Sequence, residues 1–171
     1  QDLTPSVRRM EYRIRPCTRE DTAALVETIR GAFRDVAERH GLNEQNCPRH
    51  ASNCTAGWIE QDMDRGVAYF LLETDGQAAG SVALERARPD VVYLERLAVL
   101  PRFRGRGFGK ALVARALSES RAMGAQSVGI GVIADEAGLK DWYRRFGFAE
   151  TQTRDFPHLP FLVSFMHCPL R

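Results

Sequence analysis

Residues 93–117 read YLERLAVLPRFRGRGFGKALVARAL, and this run carries three local patterns in succession. Its first seven residues are mostly apolar and typical of a strand, which Pro101 ends because proline donates no backbone hydrogen bond. Glycines then recur at every second position from 105 to 109, among basic residues. From Phe108 onward the apolar residues fall on one helical face. The run therefore predicts a strand, a tight turn and a helix.

The glycine-rich turn has the properties of a phosphate or pyrophosphate site. Glycines let backbone N–H groups approach a ligand closely, and a helix N-terminus carries about half a positive charge. A P-loop is excluded because alanine follows Lys110, and the GxGxG spacing in mid-chain is a poor match to the dinucleotide pattern GxGxxG. The pattern that fits is RxxGxG, formed by Arg104, Gly107 and Gly109. A basic surface loop or an RG-type contact to nucleic acid is the alternative.

In its context this pattern resembles the acyl-CoA-binding motif of the GCN5-related N-acetyltransferase (GNAT) superfamily. The turn follows a strand that ends in Leu-Ala-Val, and a WYRRFGF stretch comes later, at residues 142–148. The resemblance implies an α/β (α+β) fold class, the single-domain acyl-CoA N-acyltransferase fold. That fold has a mixed, mostly antiparallel sheet of about seven strands flanked by about four helices. Its central strands splay apart, and the acyl-CoA lies in the gap.

The rest of the chain predicts the element order β-α-α-β-β-β-α-β-α-β-β in one domain. Two apolar runs flank Asp75-Gly76, which is a strong signal for a β-hairpin. This order matches the family from Tyr12 to the C-terminus, whereas the motif-level similarity is confined to residues 93–148. Residues 1–9 carry no periodic pattern, so we expect a disordered leader or cloning remnant there and a single N-acetyltransferase domain over residues 10–171.

The composition is that of a globular protein and argues against two classes of function. The chain has 171 residues, of which 44% are hydrophobic and 27% charged, enough to bury a sizeable core. A formal net charge of +2 argues against a general nucleic-acid binder, and no apolar run approaches the ~20 residues of a membrane span. The four cysteines show no disulfide spacing, which favours reduced thiols and a cytoplasmic location.

The resemblance also implies where the donor, acetyl-CoA, binds. The end of the strand would offer backbone groups to the pantetheine amides and the acyl carbonyl, and the turn would surround the pyrophosphate, mostly through N–H groups. The residues implied for this site are Leu97, Ala98, Val99, Arg104, Gly105, Arg106, Gly107, Phe108, Gly109 and Lys110. One position departs from the family, since Glu136 stands where members often carry an asparagine that contacts the pantetheine arm.

Acyl transfer to an amine needs a base for the amine and an acid for the departing thiolate. The resemblance implies Tyr143 as the acid. The ordinary pKa of a tyrosine, about 10, keeps the hydroxyl protonated at neutral pH. A purely structural role in the core is the alternative. Glu95 is the candidate base, because it matches a glutamate of polyamine acetyltransferases, although it could instead bind the amine or pair with an arginine. Strict alternation along the strand predicts that Arg96 points away from Glu95.

The segment between the first two helices is implied to line the acceptor site. It contains Cys47, His50 and Cys54, but six residues separate the two cysteines, which is unlike a structural zinc site. We therefore expect no metal. His50, and His158 between the last two strands, are candidate substrate-binding residues.

The sequence thus predicts an acetyl-CoA-dependent N-acetyltransferase. It would act on a primary amine of a small molecule, peptide or protein, by direct transfer in a ternary complex. The expected partners are the acyl-CoA donor and the amine acceptor, with neither nucleic acid nor a membrane. A non-catalytic acyl-CoA-binding sensor or interaction module is the alternative, motivated by Glu136 and by the open identity of the base. Exposed strands near the C-terminus are compatible with a homodimer.

Overall fold

The strand and helix patterns fold around a seven-stranded sheet in the computed structural model, which describes residues 11–171. The strands are β1 Tyr12–Pro16, β2 Ala68–Thr74, β3 Gln77–Arg88, β4 Val91–Val99, β5 Ser127–Ile133, β6 Ala149–Asp155 and β7 Leu162–Pro169. The α-helices are α1 Thr22–His40, α2 Ala56–Asp64, α3 Phe108–Ala122 and α4 Ala137–Arg144. The predicted element order and the predicted fold class are both confirmed.

Local sequence signals set the ends of several elements. The Thr55 hydroxyl accepts a hydrogen bond of 3.3 Å from the Trp58 N–H and so caps α2. Gly41 ends α1 in the left-handed region, with φ of 61°. The β2–β3 hairpin turns at Asp75 and Gly76, whose φ angles of 50° and 72° suit a two-residue turn that follows the strand twist.

Both faces of the sheet are buried, as the alternation along β2 demonstrates. Phe70 and Leu72 pack into the core that includes α3, whereas Tyr69 and Leu71 pack into the core that includes α1 and α2. Successive strand residues point to opposite faces, so each face needs its own cover. The helices therefore sandwich the centre of the sheet.

The sheet opens between its two central strands. It runs in the order β1-β2-β3-β4-β5-β7-β6, and β4 and β5 are parallel. These two strands pair only over Val91–Tyr93 and Ser127–Gly129. Beyond that point β4 continues against β3 and β5 continues against β7. The expected splay of the central strands is therefore present, and it creates a gap at the C-terminal end of β4.

A bulge interrupts β4 at the edge of this gap. Ala83 of β3 lies opposite Glu95, and Ser81 lies opposite Ala98, so Arg96 and Leu97 share a single partner position on β3. Arg96 adopts a φ of 49°, a left-handed conformation that is uncommon for any residue other than glycine. The bulge breaks the alternation of the strand beside the candidate base.

The predicted leader, residues 1–9, lies outside the residues that the structure describes. Within residues 11–171, no helix is both long enough and apolar enough to cross a membrane.

Replacing Gly80 by alanine tests the packing that closes the sheet beside the bulge. A β-carbon at Gly80 would lie 2.6 Å from the carbonyl oxygen of Ala98, which is backbone and cannot rotate away. We expect Gly80→Ala to lower the free energy of unfolding by about 1–3 kcal/mol. Gly138 is the matched control, because a β-carbon there meets nothing within 4 Å and alanine favours a helix. Thermal unfolding of both variants checks this, and equal melting temperatures would contradict it.

Candidate functional site

The turn between β4 and α3 presents backbone N–H groups to the gap. Gly105 and Gly107 have φ angles of 77° and 81°, a region that glycine reaches without strain. The Ala111 N–H bonds to the Gly107 carbonyl at 3.0 Å, as the first hydrogen bond of α3. The N–H groups of residues 108–110 consequently have no acceptor within the helix. The turn thus offers a row of donors at a positive helix end.

The third glycine of the motif serves helix packing. A β-carbon at Gly109 would lie 3.2 Å from the ring of Trp142, which belongs to α4. Glycine therefore lets α4 lie close to the start of α3. The WYRRFGF stretch and the RxxGxG turn, distant in sequence, are neighbours in the fold.

Arg104 binds the protein itself. Its guanidinium donates to Asp35 Oδ2 at 2.7 Å and to the Ala32 carbonyl at 2.8 Å, while its Nε donates to the Val99 carbonyl at 3.0 Å. The hydrogen bond from Arg104 is the main reason why the pKa of Asp35 is lowered. This clamp joins α1 to the turn and to the end of β4.

A cavity of about 580 Å³ lies over the turn. We call it the glycine-turn cavity. It is lined by the end of β4, by α1, by the start of α4, and by these turn residues: Arg104, Gly105, Gly107, Phe108, Gly109 and Lys110. Leu97, Ala98 and Val99 contribute from β4. Arg106 is not among the lining residues, and its guanidinium lies 5.5 Å from the centre of the Phe103 ring.

A second cavity, of about 380 Å³, occupies the splay itself. We call it the splay cavity. Residues 94–97 of β4 and 130–133 of β5 form its two sides, and Tyr143 of α4 lines it as well. Phe33, Val36 and Leu139 line both cavities, so the two spaces adjoin. The structure therefore brings the predicted acid and the predicted base to one cavity, next to the glycine-rich turn.

Glu95 is a carboxyl group with an unusual proton affinity. Burial, and then the nearby carboxylate of Glu85, raise the pKa of Glu95 from its ordinary value of 4.5 to about 7. The group can accordingly exchange a proton close to neutral pH. That property suits a general base, which works best when its pKa lies near the working pH.

Arg96 lies on the same side of the sheet as Glu95, so the prediction that it points away is wrong. Its Nη1 bonds to Asp62 Oδ2 at 2.6 Å and also contacts the Tyr69 hydroxyl, which itself donates to Asp62 at 2.5 Å. Asp62 is 4% exposed. The left-handed bulge turns Arg96 toward this buried acid and away from the position that strict alternation would give it.

The cluster of Asp62, Tyr69 and Arg96 was missed from the sequence. One signal was available, because Asp62 falls on the same helical face as the buried Ile59. A charged residue on an apolar helix face needs a buried partner. The identity of that partner depended on the bulge, which no local pattern predicts.

Tyr143 is 5% exposed, and burial raises the pKa of its hydroxyl further. Its ring packs edge-on against Trp142 and Phe148, with ring centres 5.0 Å and 5.4 Å apart. These contacts are those of a residue that stabilises the core. Tyr143 also lines the splay cavity, however, so the core holds its ring at the cavity wall. A protonated hydroxyl in that place is suited to an acid.

The two candidate histidines lie in different places. His50 lines the splay cavity, its Nδ1 lies 2.8 Å from the Ser52 hydroxyl, and burial lowers its pKa. His158 lies beside the Phe156 ring and does not line either of the cavities described above. The structure thus brings only His50 to the site.

The cysteines near His50 are buried in separate apolar clusters. Cys54 packs with α1 and α2, and Cys47 packs with Ala37 and Leu42. Burial raises the pKa of both thiols, which keeps them protonated. Among residues 11–171, no group of three or more His, Cys, Asp or Glu side chains could hold a metal ion.

Glu136, the departure from the family pattern, bridges two helices. Its Oε1 accepts from Arg39 Nη2 at 2.7 Å and lies 2.9 Å from His40 Nε2. The hydrogen bond from Arg39, and then that from His40, lower the pKa of Glu136. The carboxylate therefore ties the start of α4 to the end of α1, across the mouth that both cavities share.

Comparison with known proteins places this architecture among acetyltransferases. The family model described as "Acetyltransferase (GNAT) family" matches residues 24–148. The uncharacterized N-acetyltransferase MJ1207 of Methanocaldococcus jannaschii is 26% identical over 147 residues, covering 82% of this chain and 62% of that protein. YvbK of Bacillus subtilis, also an uncharacterized N-acetyltransferase, is 29% identical over 90 residues, or 53% of this chain and 57% of that protein. The chain thus spans about three-fifths of the length of these curated relatives.

Solved structures share the fold at low sequence identity. A Salmonella typhimurium protein, yncA, solved as a putative acetyltransferase with acetyl-CoA, superposes with a TM-score of 0.71 at 21% identity, over 94% of this chain and 95% of that chain. The PaiA N-acetyltransferase of Thermoplasma acidophilum, solved with coenzyme A, gives 0.72 at 16% identity, over 94% and 99% of the two chains. The ribosomal-protein-S18-alanine N-acetyltransferase of Escherichia coli gives 0.74 at 18% identity, over 94% of each chain.

The raised pKa of Glu95 makes a prediction about stability. Because the folded protein retains a proton that the unfolded chain releases above pH 4.5, ionising Glu95 lowers stability as the pH rises toward about 7. Glu95→Gln removes this loss. The stability of the variant relative to the wild type should therefore be greater at pH 8 than at pH 5, by roughly 2 kcal/mol. Denaturant unfolding at both pH values measures it, with exposed Glu60→Gln as the control, and a pH-independent difference would refute the assignment.

Proposed function

Because this chain belongs to the acetyltransferase (GNAT) family, we propose that it transfers an acetyl group from acetyl-CoA to a primary amine. The transfer is direct, within a complex that holds both substrates. One observation carries the proposal: the splay between β4 and β5 joins the donor-rich turn to a cavity lined by both Glu95 and Tyr143.

The turn fits the pyrophosphate of the donor. Residues 108–110 have N–H groups without acceptors in α3, and Gly105 and Gly107 add no β-carbons to the turn while adopting its positive φ angles without strain. Lys110 adds a positive charge at the same cavity. Hydrogen bonds to a charged group contribute about 1.5–3 kcal/mol each. Arg104 supports this site as a clamp, since its guanidinium is committed to Asp35 and Ala32.

The β4 backbone at Leu97, Ala98 and Val99 faces the thioester end of the donor in this proposal. These residues line the glycine-turn cavity where it adjoins the splay. Arg106, beside the Phe103 ring, contributes positive charge near the cavity without lining it. The acetyl group of the donor then lies next to the splay cavity, where the acceptor enters.

Glu95 and Tyr143 perform the proton transfers. The amine nitrogen forms a bond to the acetyl carbonyl carbon, and its proton passes to the Glu95 carboxylate. The carbon–sulfur bond breaks, and the thiolate of coenzyme A takes a proton from the Tyr143 hydroxyl. Solvent returns the proton from Glu95 to Tyr143, so the products are an N-acetyl amine and free coenzyme A. His50, neutral because burial lowers its pKa, lines the acceptor side of the same cavity.

Binding of the donor is tested by thermal unfolding with acetyl-CoA. At about 100 times the dissociation constant the ligand adds about 2.7 kcal/mol, or roughly 5–10 °C in melting temperature. Gly107→Ala should reduce this shift, because the strained turn no longer presents its N–H groups in register. Gly41→Ala is the matched control: its φ is also positive and its β-carbon also meets nothing within 4 Å, but Gly41 lies at the end of α1.

Adding an amine to the same experiment distinguishes a transferase from a non-catalytic acyl-CoA sensor. Release of coenzyme A from acetyl-CoA in the presence of an amine supports the transferase, whereas a melting shift without coenzyme A release, whichever amine is added, supports the sensor. The absence of a shift at saturating acetyl-CoA would overturn both.

Tyr143→Phe tests the acid. Removing the hydroxyl leaves the ring contacts intact, so the variant should fold, bind acetyl-CoA with nearly unchanged affinity and lose roughly 10²-fold in kcat. Tyr93→Phe is the control, since Tyr93 lies on β4 but does not line the splay cavity. Thiol release under saturating substrates measures kcat. Unchanged turnover would assign Tyr143 to the core alone.

A further inference from the structure

Most of the side chains that line the splay cavity are apolar, and the polar ones are Arg39, His50, Glu95, Arg96, Glu136 and Tyr143. α1 contributes Phe33 and Val36, β5 contributes Ile130, and β7 with its preceding loop contributes Phe161 and Val163. Such walls reward the burial of carbon at about 25 cal/mol for each Å² removed from water. These apolar side chains offer no hydrogen bonds to a polar chain.

The arginines at this cavity already have anionic partners. Arg96 binds Asp62 at 2.6 Å, and Arg39 binds Glu136 at 2.7 Å. Glu136 accepts a second hydrogen bond from His40. A ligand carboxylate would therefore compete with Asp62 for Arg96 or with Glu136 for Arg39. A ligand ammonium at Glu136 would compete with Arg39 and His40.

Glu95 differs from these groups. Across residues 11–171 it forms no ion pair, although it lines the cavity. The neighbouring Glu85 does not line the cavity, and its carboxylate is bound by Arg65 at 3.2 Å. Among the described residues that line the cavity, Glu95 is thus the acidic group without a cationic partner, although its carboxyl group also interacts with that of Glu85.

We infer that the acceptor is a small primary amine whose remaining skeleton is apolar and uncharged, such as an alkylamine or an arylalkylamine. The inference rests on the proposed transferase function and names the substrate class of that site. The amine lies at Glu95, and the carbon skeleton packs against the apolar walls. The volume of about 380 Å³ agrees with this class, because small-molecule sites span about 300–1,000 Å³.

The same features disfavour three other classes of acceptor. A polyamine would bring a second ammonium group into apolar walls without a free carboxylate, and an amino acid would bring a carboxylate without a free cation. Burying an unpaired charge costs several kcal/mol. A peptide would bring backbone N–H and C=O groups against the apolar side chains of α1, β5 and β7, where each group buried without a partner costs free energy.

Three amines of equal chain length test the inference: hexylamine, 1,6-diaminohexane and 6-aminohexanoate. Each has six carbon atoms, and beyond the five methylene groups next to the amine they carry a methyl, a charged aminomethyl or a carboxylate group. We expect kcat/KM for hexylamine to exceed that of either charged analogue by at least about 10-fold. Phenethylamine should resemble hexylamine, and a hexapeptide with N-terminal alanine should resemble the charged analogues. The assay is thiol release at saturating acetyl-CoA.

The possible outcomes distinguish a failure of the substrate class from a failure of the proposed acetyltransferase function. If a charged analogue or the peptide equals or exceeds hexylamine, the substrate class is wrong while the transferase stands. If no amine releases coenzyme A, the transferase itself fails, and the substrate class fails with it.

A substitution in the cavity wall should shift the substrate preference from hexylamine toward the diamine. Phe161→Glu places a second carboxylate at the cavity wall and should raise kcat/KM for 1,6-diaminohexane relative to hexylamine by about 10-fold or more. Leu162→Glu is the control, because the neighbouring Leu162 is 48% exposed and does not line the splay cavity. The KM for acetyl-CoA should stay constant in both variants. An unchanged ratio in a folded Phe161→Glu variant would overturn the inference.

Discussion

The short pairing between β4 and β5 is the constraint on which the rest of the site depends. Parallel strands normally pair along their length, and here the ladder ends after Tyr93 and Gly129. Beyond this point each strand stays paired with its other neighbour, β3 or β7, so the gap opens while the outer ladders remain intact. α1 and α4 line that gap, and α3 starts beside it. Both cavities follow from this one divergence.

Among the described residues, the charges at the gap are paired in a way that leaves Glu95 without a cationic partner. Asp62, Arg96 and Tyr69 satisfy one another, and Glu136 is held by Arg39 and His40. Glu95 is excluded from both sets, and burial beside Glu85 makes its ionised form costly. Such a group lowers the stability of the fold at neutral pH, as functional groups often do. Glu95, the proposed base, therefore destabilises the folded protein when it is ionised.

The glycine-rich turn depends on contacts that its own sequence does not contain. Arg104 is held by Asp35 and Ala32 of α1, and Gly109 makes room for Trp142 of α4. Elements before and after the turn therefore set its position relative to the splay. The Arg104 clamp and the packing of Trp142 thus link the position of the turn to α1 and α4.

The sequence alone determined what depends on neighbouring residues: the element order, the Asp75-Gly76 hairpin, the strand–turn–helix run, and Glu95 and Tyr143 as candidates. The first three follow from periodicity, turn chemistry and motif spacing, which act over a few residues, and the two candidate residues follow from the resemblance to the acetyltransferase family. The tertiary structure decided the rest. The bulge turned Arg96 to the side of Glu95, Arg104 bound α1, and His158 lay away from the cavities that His50 lines. Each outcome depends on contacts between distant segments, which form only when the sheet and helices pack together.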